Sequence, residues 1–212
     1  MRTFMVANPK GGAGKSTLAT NLAGCLAQRG WANGDTRVML GDVDRQQSAR
    51  SWLSIRPAAV APISSWELNP GEPARPPKGT THAVIDTPAG LHGDKLKNLL
   101  RLADAVLVPL QPSLFDILAT RTFLDDLAEL KAARGTVVGL VGMRVDSRTR
   151  AAEQLIRFTE TLSLPLLGTL RDTQNYVQLA AHGLTLFDIA PSRVEKDLAQ
   201  WEPIERWARL VG

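Results

Sequence analysis

Three short stretches of the chain hold residues that could do chemistry together. The first is Pro9-Lys10-Gly11-Gly12-Ala13-Gly14-Lys15-Ser16-Thr17. Glycines let a backbone wrap tightly and aim several N–H groups inward. A helix that starts there adds unpaired N–H groups and a partial positive charge. The result is an anion site suited to a polyphosphate. Lys15 then reaches the β- and γ-phosphates, the Ser16 hydroxyl takes Mg²⁺, and Thr17 contacts the α-phosphate. A Gly-Gly-x-Gly-Lys-Ser/Thr string arises by chance in on the order of one chain in a thousand or fewer.

The second stretch is Asp42-Val43-Asp44-Arg45-Gln46-Gln47-Ser48, which follows the apolar run Arg37 to Asp42. Two carboxylates two residues apart at a strand end point the same way. Strand C-termini are where open α/β sheets bind ligands. A helix cap with a spare charge is the plainer reading of this pair. The third is Asp86, at the end of Ala83-Val84-Ile85-Asp86 and followed by Thr87-Pro88-Ala89-Gly90. An aspartate there suits a Mg²⁺ partner through water, and 87–93 suits a loop that senses the γ-phosphate.

The elements that must position these residues are legible in the pattern. Thr3 to Asn8 reads as a buried strand. Gly14 to Arg29 reads as a helix, with Leu18, Leu22 and Leu26 on one face and Cys25 in step with them. Strand, glycine loop and helix is the context a phosphate-binding loop requires. Further strands are predicted at Arg37–Asp42, Ala83–Asp86, Ala105–Leu110, Val137–Val145 and Leu166–Leu170, with a short one at Ile63–Trp66. Helices are predicted at Ser48–Ile55, Asp94–Ala103, from Ser113 through Ala133 with Ser113 as N-cap, and over the tail from Val194 to Val211. Trp31 to Thr36 reads as a polar turn, and 56–78 as a proline-rich loop. Continuous apolar strands imply burial on both faces and hence parallel pairing. The expected fold is α/β: a doubly wound, mostly parallel sheet with helices on both faces, forming one domain over 1–212.

Composition narrows the function classes. The chain has 212 residues, 44% hydrophobic and 22% charged, with formal net charge +4. That is an ordinary soluble composition with a mild basic bias, which permits a nucleic-acid surface without requiring one. No apolar run approaches a membrane span. The N-terminus runs straight into a strand, so no signal peptide is expected. The single Cys25 excludes an internal disulfide and points to a reducing compartment. His82, His92 and His182 show no metal-ligand spacing.

The common phosphate-loop pattern has a glycine where this chain has Pro9, and this chain carries a second lysine, Lys10, before Gly11. The loop resembles the deviant P-loop (KGGxGK[ST]) of the ParA/MinD family of partition and positioning ATPases. Asp42 to Ser48 resembles that family's D-x-D-x-Q-x-S/A segment, and Val108 to Ser113 its V-P-x-Q-P-S segment. The resemblance covers nearly the whole chain and implies the P-loop NTPase fold, of the small ParA-like type. It implies that ATP and Mg²⁺ are bound by Lys10, Gly11, Gly12, Ala13, Gly14, Lys15, Ser16 and Thr17. Asp44 orients the attacking water, Ser16, Asp42 and Asp86 serve the metal, and Lys10 reaches the nucleotide of a second subunit. Adenine contacts fall at Met143-Arg144, where the family often has Asn-Arg, and at Arg171-Asp172. The resemblance further implies an ATP-dependent homodimer that binds DNA nonspecifically through Arg144, Arg148, Arg150, Arg157, Arg193, Lys196, Arg206 and Arg209. It implies a ParB-like or cargo adaptor that stimulates hydrolysis, and a cytoplasmic, nucleoid-associated location.

Two other readings share the fold. A MinD-like protein would sit on a membrane through its C-terminal helix, although Trp201, Ile204, Trp207 and Leu210 at three-residue steps suit packing on the sheet better. A metabolic ligase or kinase of dethiobiotin-synthetase type would need a small acceptor. A nitrogenase-iron-protein reading is excluded, because one cysteine cannot hold the cluster in the usual way.

Overall fold

The structure is a computed structural model and describes residues 1–31, 36–69, 75–131 and 135–211. Among these described residues seven strands form one sheet: β1 (Arg2–Val6), β2 (Val38–Asp42), β3 (Ile63–Trp66), β4 (His82–Asp86), β5 (Ala105–Leu110), β6 (Val137–Gly142) and β7 (Leu166–Thr169). Their spatial order is β3-β2-β4-β1-β5-β6-β7. Every pairing is parallel, so the "mostly parallel" expectation tightens to fully parallel.

Strand alternation sorts the side chains into two cores. Phe4 and Val6 of β1 face one way, with Leu40, Val84 and Leu107. Over them pack α1 (Lys15–Trp31), α2 (Ser48–Ser54) and α7 (Glu195–Leu210). Met5 and Ala7 face the other way with Ile85, Val106 and Leu140, covered by α3 (Gly93–Leu100), α4 (Leu114–Lys131) and α5 (Arg150–Glu160). The chain crosses from one layer to the other after α2, and returns through α6 (Gln174–Ala180) and two single turns of tight helix at Leu186–Asp188 and Pro191–Arg193. Cys25 is buried in α1.

Several boundaries move. β6 stops at Gly142 rather than Val145, and α3 runs Gly93–Leu100 rather than 94–103. α1 runs Lys15–Trp31, two residues past the predicted end at Arg29. Most of the Trp31–Thr36 turn, the end of the helix predicted to Ala133 and part of the proline-rich loop lie outside the described residues.

The tail is a core helix. Trp201 and Ile204 are fully buried, and Trp201 meets the Phe187 ring edge-on at 5.5 Å between centroids. Its indole N–H donates to the Tyr176 hydroxyl at 2.9 Å. Only Leu210 of the four apolar tail residues is highly exposed, at 77%. The side chains that a membrane-lying helix would need are therefore inside the protein. Among the described residues no helix is long and apolar enough to cross a membrane.

Arg56, on the predicted loop, is no loop residue in energetic terms. Its guanidinium makes a two-pronged bond to Asp188 at 2.8 Å, donates to the carbonyls of Ala61 and Gly183, and lies over the Trp52 ring. Both charged side chains are almost fully buried. Breaking one side of such a pair leaves an uncompensated buried charge, at a cost of about 3–5 kcal/mol.

Candidate functional site

The functional rim is made by the C-terminal ends of β1, β2 and β4, the three strands at the middle of the β3-to-β5 half of the sheet. β1 delivers the chain into the glycine loop. Gly12 and Gly14 sit at φ +77° and +91°, which only glycine adopts freely. A Cβ on Gly14 would come within 2.8 Å of the Met143 side chain.

Six hydrogen bonds fix the loop. The Asn8 amide donates to the Pro109 carbonyl at 2.7 Å and the Thr120 hydroxyl at 3.0 Å, while its oxygen accepts from the Lys10 N–H at 2.8 Å. Gln111 donates to the Gly12 carbonyl at 2.7 Å. The Gly90 N–H donates to the Pro9 carbonyl at 2.9 Å. Lys15 donates to the Lys10 carbonyl at 2.7 Å, so its ammonium lies across the loop. Burial pushes the Lys15 pKa down, and the carboxylates of Asp86 and Asp44 work against that fall.

Asp86 closes β4 beside the phosphate loop, 1% exposed, and among the described residues neither carboxylate oxygen accepts a hydrogen bond. Burial pushes its pKa up to about 7; the neighbouring Ser16 hydroxyl pulls it down, Asp42 pushes it further up, and Lys15 pulls it down again. Among the described residues no three His, Cys, Asp or Glu side chains are grouped as a metal site, but a buried carboxylate beside a hydroxyl fits a hard divalent cation that takes few protein ligands and keeps its waters. The donor set therefore suits Mg²⁺.

Asp42 is used differently from that expectation. One oxygen accepts from the Asp44 N–H at 2.9 Å. The other accepts from Ala49 at 2.8 Å and Arg50 at 3.1 Å, the first-turn N–H groups of α2. Gln47 precedes that helix in a left-handed conformation with φ 49° and supplies no side-chain cap. Asp42 thus caps α2 from a distance and pins the Asp44 loop, which is the plainer reading of the pair. A carboxylate has about four lone-pair sites, so one remains for a metal-bound water. Asp44 lines the cleft beside it and accepts from the Gln46 N–H at 3.0 Å.

Lys15, Ser16, Thr17, Asp42 and Asp44 line a cleft of about 1130 Å³ together with Arg45, Lys95, Asn69 and Arg144, while Asp86 is not among its lining residues. Lys95, in the first turn of α3, escaped sequence reasoning, because nothing local marks it as facing the P-loop. Asn8 and Gln111 escaped it too. A polar residue closing an apolar strand immediately before the loop was the available signal for Asn8.

The two adenine expectations fare unequally. Arg144 lines the cleft with a left-handed backbone at φ 53°. Met143 does not: it is 4% exposed, packed in the core beneath Gly14. A thioether was the wrong chemistry for base recognition and the right one for filling a gap under glycine. Arg171 is not among the residues lining the cleft. Its side chain instead pairs with buried Asp197 at 2.5 Å, and its N–H donates to Gln200 at 3.0 Å. Asp172 is exposed next to it, also outside the cleft lining. Lys10 does not line its own cleft either, and its ammonium makes no hydrogen bond or ion pair among the described residues.

The eight basic residues singled out in the sequence are all exposed. Arg148 is tied to Asp146 at 2.9 Å, and that hydrogen bond holds the Asp146 carboxyl down at about 2. Arg209 lies 3.7 Å from Glu205.

Residues 4–186 match the family described as the CobQ/CobB/MinD/ParA nucleotide binding domain. A maintenance of carboxysome distribution protein A of Gloeobacter kilaueensis is 33% identical over 150 residues, covering 70% of this chain and 65% of that protein, just under two thirds of its length. The chromosome-partitioning ATPase Soj of Thermus thermophilus is 30% identical over 190 residues, covering 73% of this chain and 74% of that protein. Among solved structures, MinD of Aquifex aeolicus superposes with TM-score 0.70 at 18% identity, covering 99% and 96% of the two chains. An ATP complex of a Cyanothece McdA variant gives 0.71 at 16%, covering 96% of each.

Proposed function

The chain belongs to the CobQ/CobB/MinD/ParA family of nucleotide-binding domains, and on that footing we propose that it is a ParA-like ATPase whose ATP-bound dimer binds DNA and positions a large cargo. One observation carries the step from nucleotide binding to a positioning cycle. Lys10 stands in the phosphate loop but outside its own cleft, and its ammonium makes no hydrogen bond or ion pair among the described residues. A lysine so placed is available to the phosphates of a second copy.

The reaction is transfer of the γ-phosphoryl group to water: the bond from phosphorus to the β,γ-bridging oxygen breaks, one forms to the water oxygen, and ADP and phosphate leave. Such a transfer needs positioning and charge stabilisation more than covalent help. The loop N–H groups and Lys15 hold the β- and γ-phosphates. Asp44, fixed by Asp42 at its N–H, orients the water. Ser16 and Asp86 would hold Mg²⁺, which would supply positive charge to the phosphate oxygens. Lys10 from the second copy adds a cation on the open side. By analogy with arginine fingers, a cation that completes a site contributes on the order of 10³- to 10⁵-fold.

The exposed arginines and lysines near α5 and α7 suit phosphate contacts without base reading, so DNA affinity should fall steeply with salt. A nucleoid would then be the track, and an adaptor that stimulates hydrolysis would release the dimer. The test is duplex-DNA binding with ADP and with ATP at two salt concentrations, with and without the Arg148→Ala/Arg150→Ala/Arg157→Ala changes. ATP-dependent, salt-sensitive binding that weakens in the triple variant supports the reading. Binding that ignores nucleotide refutes it.

A further inference from the structure

We propose that Lys95 is a residue by which this chain tells ATP from ADP: its ammonium meets the terminal phosphate of the nucleotide held in the same copy. The inference rests on the nucleotide reading above and gives that site a cation beyond Lys15 and Lys10.

The placement follows from how α3 packs. Its buried side chains are Leu96, Leu99 and Leu100, which sit in the core with Met5, Ile85 and Val106. Lys95 lies one helical turn before Leu99, so it continues the same inward-facing stripe. At Leu99 that stripe meets the core. At Lys95 it opens instead on the cleft that Lys15, Ser16 and Asp44 also line. Lys15 is buried in the depth of the site, whereas Lys95 is exposed and stands at its mouth.

The segment leading into α3 is fastened to the phosphate site. The Thr87 hydroxyl donates to the Val6 carbonyl of β1 at 2.8 Å. The Gly90 N–H donates to the Pro9 carbonyl at 2.9 Å, and the Leu91 side chain is buried. The start of α3 is therefore held in a fixed relation to the loop that grips the phosphates.

The charge of Lys95 has no compensation from its own surroundings. Asp94 in the first turn and Lys97 in the last turn both suit the helix dipole, but Lys95 puts a cation at its positive end. Its ammonium makes no hydrogen bond or ion pair among the described residues. An anion in the cleft supplies what is missing. Of the two nucleotides only ATP carries a phosphate beyond the β position, so a cation on the outer wall distinguishes them, while Lys15 grips both.

The experiment measures the Kd of fluorescent ADP and of a fluorescent nonhydrolysable ATP analogue, with Mg²⁺ and the full chain at low concentration. Variants are made in the Lys10→Ala background, where an ATP-binding monomer is expected, so only contacts within one copy are read. They are Lys95→Gln, Lys95→Arg and Lys97→Gln, the last removing the same charge from the same helix at a position that does not line the cleft. Lys95→Gln should weaken the ATP analogue at least about tenfold, the scale of a lost hydrogen bond to a charged group, with ADP affinity unchanged within about twofold. Lys95→Arg should recover most of that loss, and Lys97→Gln should bind like the parent. A Lys95→Gln protein whose two affinities keep the parent's ratio overturns the assignment and leaves the nucleotide reading intact. An equal loss in Lys97→Gln is a general charge effect and overturns it as well. A wild-type chain that binds neither nucleotide overturns the nucleotide reading and the assignment with it.

Discussion

Replacing Asp86 by Asn tests the centre of the site without touching the phosphate loop. Asp86 is 1% exposed, neither oxygen accepts a hydrogen bond among the described residues, and burial raises its pKa from an ordinary 3.8 to about 7. The folded ligand-free protein then holds a proton that the unfolded chain releases above pH 3.8. Stability conferred by that proton is fully present below about pH 4, falls as pH rises, and is gone above about pH 7. At 1.36 kcal/mol per tenfold change in proton affinity, the full loss is about 4 kcal/mol, a large share of a typical 5–15 kcal/mol. An amide at this position does not titrate, so Asp86→Asn removes this part of the slope. The assay is urea unfolding of both ligand-free proteins at pH 5, 6, 7 and 8. The wild-type stability minus that of the variant should fall by about 1.4 kcal/mol per pH unit up to pH 7 and then level off. Adding Mg²⁺ and ATP at pH 8 should recover more stability in the wild type, because the cation compensates the ionised carboxylate. Parallel pH profiles for the two proteins would falsify the claim that Asp86 is a desolvated carboxylate awaiting a cation.

Three further outcomes are expected. Lys15→Ala removes the cation lying across the loop and should abolish ATP binding in a filter or fluorescence assay; unchanged affinity would remove the P-loop assignment. Asp44→Ala should keep ATP affinity, lose about 10²- to 10⁴-fold in hydrolysis rate, and accumulate as the ATP-bound dimer, with wild-type turnover as the contrary result. Trp201→Ala should cost about 3–5 kcal/mol in urea melts through the cavity it leaves in the sheet-facing core, and a variant melting like wild type would show that α7 is not part of that core.

Much of the fold could be read from the chain because its strands are buried on both faces. Runs such as AVLVPL and AVID are unbroken apolar segments ending in a polar residue or loop, and that pattern requires parallel pairing and places the ligand at the strand ends. The glycine loop was legible because its chemistry is local: seven consecutive residues carry the N–H groups, the cation and the hydroxyl. What failed to show was whatever depended on distant partners. Met143 follows a strand where a base contact was expected, yet its role is set by the missing Cβ of Gly14, more than a hundred residues away. Arg171 was expected at the base and is instead drawn to Asp197, on a helix whose packing the local pattern does not reveal. Asp42 and Asp44 look equivalent as a spaced pair. Only the arrival of the α2 N-terminus shows that Asp42 is a cap, while Asp44 lines the cleft. Lys95 gives no local sign at all, because its place in the cleft follows from how α3 docks on the sheet.

The central claim is that ATP joins two copies through Lys10 and that the joined form binds DNA. The most direct measurement is sedimentation of wild type and Lys10→Ala with ADP and with ATP, with and without duplex DNA of arbitrary sequence. The account predicts a wild-type dimer that carries DNA in ATP only, and a Lys10→Ala protein that still binds ATP but stays monomeric and free of DNA. A wild type that remains monomeric and ignores DNA in ATP, or a Lys10→Ala protein that behaves like wild type, would contradict it.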